Sequence, residues 1–148
     1  MSANGGLKLG KRKILFLCTG NSCRSQMAEG FAHQMGWDAY SAGTKSETQV
    51  NPFAINVMAE IGVDISHHVA EPISKYLNEN FDIVATLCDN ARETCLVFTD
   101  RSDHQIHHGF EDAADATGSD GEITKVYRRI RDEIRDWVIE LKEEFNLK

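Results

Sequence analysis

A chain of 148 residues with 41% hydrophobic and 26% charged content has the length and balance of one soluble globular domain. Its formal net charge of -7 argues against a broad nucleic-acid surface, and no apolar run reaches the ~20 residues that a membrane-spanning helix needs. In that negative field, an anionic ligand has to be drawn in by a local positive site.

Residues 1–12 are rich in glycine and basic side chains and lack an apolar core segment, so they read as a flexible tail, not a secretory signal. Residues 13–17 (KILFL) form an apolar run of buried-strand length that ends at Cys18. Met27, Ala28, Phe31, Ala32 and Met35 then recur with helical spacing, and Gly36 supplies a stop. Residues 39–41 suit a short strand. Asn51-Pro52 is a helix start, an N-cap followed by proline at the first helical position, and Gly62 closes the face made by Ala54, Val57, Met58 and Ile61. A short helix is expected over 72–78, a second buried strand over 81–87 (FDIVATL) leading into Cys88, and a fourth strand over 104–108. Residues 111–121 (EDAADATGSDG) read as an acidic loop. Ile123, Val126, Tyr127, Ile130, Ile134, Trp137, Val138 and Leu141 line one face of a long final helix, with mixed charges opposite. Trp37 and Trp137 sit in apolar settings that suit a core. Alternating strands and helices predict an α/β fold: a single-domain three-layer sandwich over residues 13–148, with a central four-stranded parallel sheet flanked by helices.

The chemistry concentrates between the first strand and first helix, in Cys18-Thr19-Gly20-Asn21-Ser22-Cys23-Arg24-Ser25. Ligands in such sheets bind at the carboxyl ends of strands. Five residues between Cys18 and Arg24 let the backbone curl around a tetrahedral oxyanion, with N–H groups inward and the helix dipole adding positive potential. Gly20 permits close approach, Asn21 tolerates a left-handed conformation, and Arg24 clamps two oxygens with its planar fork. Such surroundings favour the Cys18 thiolate, and Ser25 is placed to donate a hydrogen bond to it. The Cys-x5-Arg spacing alone also fits an unreactive cysteine at a strand end; the strand–loop–helix context favours the nucleophile. The four cysteines (18, 23, 88 and 95) lack paired Cys-x-x-Cys zinc spacing, so redox or nucleophilic use leads.

The stretch LCTGNSCRSQMAEGF and the YSAG that follows at 40–43 resemble the thioredoxin-coupled arsenate reductases, relatives of the low-molecular-weight protein tyrosine phosphatases. The resemblance continues through Asn51-Pro52, IGVDIS at 61–66, Thr86-Leu87-Cys88 and RDEI at 131–134. It implies the tyrosine phosphatase-like fold and reduction of arsenate to arsenite. It also implies that Cys18 attacks arsenate, Cys88 resolves the arsenic adduct into a Cys18–Cys88 disulfide, and Cys95 carries the oxidation on as Cys88–Cys95. Thioredoxin, or glutaredoxin with glutathione, is the implied electron donor. Reduction of As(V) needs two electrons, which dithiol oxidation supplies. A phosphatase needs only one cysteine and an acid. The alternatives are a tyrosine or aryl phosphatase and a noncatalytic oxyanion-binding redox sensor.

The family places its general acid after an apolar–acidic pair, which selects Asp112 within Gly109-Phe110-Glu111-Asp112; Ala113 stands where most relatives have proline. Ala113 and Ala114 also replace the aromatic residues that tyrosine phosphatases carry there, which favours a small inorganic oxyanion. Some arsenate reductases hold a potassium ion beside the loop. Asn21, Glu29 and Ser41 match its ligand positions, Glu71 replaces an aspartate, and His68 matches a neighbouring position. No tightly bound cofactor is expected. His104, His107 and His108 offer a metal reading, but adjacent residues on a strand point to opposite faces. Cys23 has no needed role and reads as a packed thiol. We expect a cytoplasmic monomer.

Overall fold

The computed structural model describes residues 12–88, 98 and 101–145. Strand β1 (Lys13–Cys18) is followed by helix α1 (Arg24–Gln34), β2 (Asp38–Gly43), α2 (Pro52–Ala59), a 3₁₀ turn at Ile73–Tyr76, β3 (Phe81–Thr86), β4 (Ser102–His107), a second 3₁₀ turn at Ala113–Asp115 and α3 (Asp120–Glu144). All strand pairs are parallel, in the order β2-β1-β3-β4. The expected four-stranded α/β sheet is therefore present.

Local chemistry sets the element ends. Asn51 accepts the Phe53 N–H on its side chain and Pro52 opens α2. Gly36 and Gly62 take positive φ values of 99° and 80° after α1 and α2, a region that suits glycine. The last helix begins at Asp120, inside the stretch expected to be loop, because Ser119 and Glu122 form a reciprocal capping box. The expected short helix at 72–78 is a tighter turn of four residues.

Alternation along β1 divides the core. Ile14 and Phe16 face a cluster with α1, α2 and α3, including Phe31, Met58, Tyr127 and Trp137. Leu15 and Leu17 face the other side with Tyr76, Phe81, Val84 and Phe98. Trp37 and Trp137 are both buried, as expected of core residues. The connection from the carboxyl end of β1 runs to β2 and that from β3 runs to β4 on the other side, which opens a crevice at the carboxyl ends of β1 and β3. Cys18 ends β1 at that crevice.

Candidate oxyanion and thiol site

The loop after β1 is held from outside by its carbonyls. The N–H groups of Thr44, Lys45, Glu47 and Asn51 donate to the carbonyls of Cys18, Thr19, Gly20 and Ser22 at 3.1, 2.9, 2.7 and 2.9 Å. In a planar trans peptide the next N–H points opposite to the carbonyl, and no peptide among the described residues is cis. The amides of Thr19, Gly20, Asn21 and Cys23 therefore turn to the inner side of the curl. The segment after β2 is what turns the loop carbonyls outward.

Asn21 braces the curl. Its φ is 54°, and its fully buried side chain donates to Ser25 Oγ (2.8 Å) and accepts from the Glu71 N–H (2.7 Å) and Gln26 Nε2 (3.1 Å). Ser25 thus accepts from Asn21, and no hydrogen bond from Ser25 to Cys18 is found among the described residues. Gly20 faces the Glu47 side chain. The closest backbone approach is at Gly43, where an added Cβ would lie 2.6 Å from the Thr19 carbonyl oxygen.

Arg24 opens α1 and is nearly buried. Its Nη1 donates to the Phe110 carbonyl at 3.0 Å, Nη2 lies 3.4 Å from Asp112 Oδ2, and Nε is buried without a partner among the described residues. Asp112 accepts the Ala114 N–H on Oδ1 and so caps the 3₁₀ turn that follows. Glu111, the neighbour most easily mistaken for it, turns outward to Arg129 at 2.9 Å.

Cys88 brings a second thiol to the loop. It sits just beyond β3, buried, with its sulfur 3.3 Å from Thr19 Oγ1. Its hydrogen bond to Cys18 is the foremost cause that pushes the Cys18 thiol up, followed by burial; Arg24 and the Thr19 amide pull the other way. Cys88 and burial thus oppose the Cys18 thiolate expected from the sequence, while Arg24 and the Thr19 amide favour it. Cys23 packs against the Tyr127 hydroxyl at 3.5 Å, and burial raises its pKa as well, as suits a packed thiol. Cys95, the third member of the expected relay, lies outside the described residues.

Thr19, Arg24, Cys88, Gly109, Phe110, Asp112 and Asp115 line an open cleft of about 730 Å³. Asp115 and the peptide of Phe110 are the parts that sequence reasoning missed; the three-residue period from Asp112 to Asp115 was the available signal. A separate cavity of about 260 Å³ is lined by Glu29, Ser41, Glu71, His33, His67 and His68, among others. Glu29 accepts the Ser41 hydroxyl, Glu71 pairs with Lys75 Nζ at 2.6 Å, and His68 Nδ1 meets Gln26 Oε1 at 2.8 Å. The other histidines do not converge. His104 lies against the Phe145 ring, His107 bonds Thr86 Oγ1, and His108 stacks on Phe110. Among the described residues no group of three or more His, Cys, Asp or Glu is arranged to hold a metal ion.

Residues 13–147 match the family model of the low molecular weight phosphotyrosine protein phosphatases. An arsenate reductase of Halalkalibacterium halodurans is 47% identical over 129 residues, covering 85% of this chain and 91% of the relative. An arsenate reductase of Bacillus subtilis is 44% identical over 133 residues, covering 88% and 94%. Among solved structures, an arsenate reductase in a phosphate-binding state superposes with a TM-score of 0.76 at 32% identity, over 90% of this chain and 98% of that one.

Proposed function

The chain belongs to the low molecular weight phosphotyrosine protein phosphatase family, on its arsenate reductase branch, and we propose that it reduces arsenate to arsenite through Cys18, Cys88 and Cys95. The observation that carries this reading is the second buried thiol: Cys88 lies at the loop, its sulfur 3.3 Å from Thr19 Oγ1, and it is the foremost influence that raises the Cys18 thiol. Hydrolysis of a phosphoester has no use for it.

The steps follow from the groups present. An oxyanion settles in the curl of Thr19 to Ser25, held by backbone N–H groups and the Arg24 fork, whose buried Nε gains an acceptor. The anion takes the Cys18 proton, and the sulfur attacks arsenic. An S–As bond forms and one As–O bond breaks, with Asp112 giving a proton so that the oxygen leaves as water. Cys88 then attacks the Cys18 sulfur. The S–S bond forms, the S–As bond breaks, and its electron pair stays on arsenic, which departs as arsenite, As(III). Cys95 attacks Cys88, frees Cys18 as a thiol and leaves a Cys88–Cys95 disulfide. An external dithiol, thioredoxin or glutaredoxin with glutathione, returns that disulfide to two thiols. Such a relay suits a reducing, cytoplasmic compartment, and we assign a monomer there.

Potassium belongs to the same reading. Glu29, Ser41 and Glu71 offer hard oxygen donors around one cavity, which fits a monovalent cation. Asn21 Oδ1 is already taken by two N–H donors, so the ion would be held mainly by the other three, in competition with the Lys75 ammonium. Its charge would steady Asn21 and the loop through the Glu71 backbone.

The test is single-turnover arsenite release with disulfide mapping by mass spectrometry, beside hydrolysis of a chromogenic aryl phosphate. Cys88→Ser should block arsenite release. Cys95→Ser should complete one turnover and accumulate the Cys18–Cys88 disulfide. Multiple turnovers by Cys88→Ser at the unmodified rate would return the chain to the phosphatase class.

A further inference from the structure

Asp115 has no assigned role in these steps, yet the fold carries it to the wall of the cleft. The cause is local. The Asp115 N–H donates to the Asp112 carbonyl at 3.0 Å in the 3₁₀ turn that Asp112 caps. This short turn folds the chain back so that Asp115, its last residue, lies near Asp112, the residue that caps it. Both line the cleft with Thr19 and Arg24. Tyr127, whose proton is held first by burial and then by Cys23, also feels the negative charge of both carboxylates.

The two acids differ in what meets them. Asp112 faces the Arg24 guanidinium at 3.4 Å, whereas Asp115 is exposed and has no cationic partner among the described residues. Its charge stands uncompensated at the mouth. A small inorganic oxyanion ends inside the curl, where Arg24 and the amides offset its charge. The organic part of a phosphoester instead extends beyond the curl into the cleft that Asp115 lines.

We propose that Asp115 is a specificity-determining residue that repels ligands carrying negative charge beyond the bound oxyanion, and so reserves the loop for small inorganic oxyanions. The proposal deepens the reductase reading and rests on it for which oxyanion is favoured. Across a partly hydrated cleft, two unit charges several ångströms apart change affinity about three- to tenfold, less at high salt.

The experiment is calorimetry on the reduced full chain with phenyl phosphate and 4-carboxyphenyl phosphate, with inorganic phosphate as reference. The unmodified chain should bind the carboxylated ester more weakly than the plain one. Asp115→Asn should narrow that ratio about three- to tenfold, and added salt should shrink the difference. Glu111→Gln makes the same change in net charge outside the cleft and should leave the ratio where it was. An unchanged ratio in Asp115→Asn, or an equal change in Glu111→Gln, overturns the proposal. A chain that binds none of the three ligands overturns it together with the oxyanion loop. A chain that shows the ratio shift but never reduces arsenate overturns the reductase reading alone.

Discussion

The Phe110 carbonyl accepts a 3.0 Å hydrogen bond from Arg24 Nη1, and this aims the oxyanion clamp. The Phe110 N–H donates to the Leu87 carbonyl at 3.0 Å, one residue before Cys88. One residue's backbone therefore ties the loop's guanidinium to the strand end that delivers the second thiol, and Asp112 follows two residues later. Arg24→Lys keeps the charge but loses the fork, so it cannot hold Phe110 and two substrate oxygens together. Steady-state arsenate reduction should fall about 10²–10³-fold in kcat/KM, the usual loss for one preorganised oxyanion donor. A change below about threefold would remove the clamp from the mechanism.

Asp112 and Glu111 are adjacent carboxylates with opposite surroundings. Asp112 faces Arg24 inside the cleft, and Glu111 pairs with Arg129 at the surface. Asp112→Asn should slow the chemical step about 10²–10⁴-fold while phosphate affinity stays similar. Glu111→Gln loses one exposed ion pair, worth about 0–1 kcal/mol of stability, and should leave turnover nearly unchanged. Pre-steady-state kinetics on both variants checks the assignment. The larger loss in Glu111→Gln would move the acid by one residue.

Gly43 is a test of how the loop is built. An added Cβ would meet the Thr19 carbonyl oxygen at 2.6 Å and the Gly20 carbonyl carbon at 3.0 Å. Gly43→Ala should cost about 1–3 kcal/mol in urea unfolding and weaken phosphate binding, because backbone must move. Gly121 offers the contrast: it lies in α3, and its Cβ would come no nearer than 3.9 Å to Ser119 Oγ. Gly121→Ala should stabilise by about 0.5–1 kcal/mol through helix propensity. Equal effects at the two positions would contradict the close approach.

The thiol pair sets a pH prediction. Cys88 is the foremost cause of the raised Cys18 pKa, so Cys88→Ala should lower it and speed alkylation of Cys18 by iodoacetamide at pH about 8. The alkylation profile should move to lower pH as a whole. The fold favours the protonated sulfur, so this contribution to stability is complete below the ordinary thiol pKa and is lost as pH rises above it. Reduced protein should accordingly melt at lower temperature in alkaline solution, less steeply in Cys88→Ala. An alkylation profile that does not move would show that Cys88 leaves the Cys18 proton alone.

Local chain chemistry was readable from the sequence, because its causes lie within a few residues. The period of the apolar residues announced α3, Asn51-Pro52 announced the start of α2, and Asn21 announced the left-handed turn that its φ of 54° bears out. Cys18 and Arg24 were legible together, since strand, loop and helix follow one another along the chain. The tertiary structure alone decided what depends on distant neighbours. Ser25 bonds Asn21, the Gly43 segment turns the loop carbonyls outward, and Lys75 engages Glu71. The upward push on the Cys18 thiol belongs to this second group. It depends on Cys88, seventy positions along the sequence but brought to the same loop, and on a burial that appears only when β1 and β3 pair. Asp115 stands between the two: its three-residue step from Asp112 is a local signal, but only the fold puts a cleft in front of it.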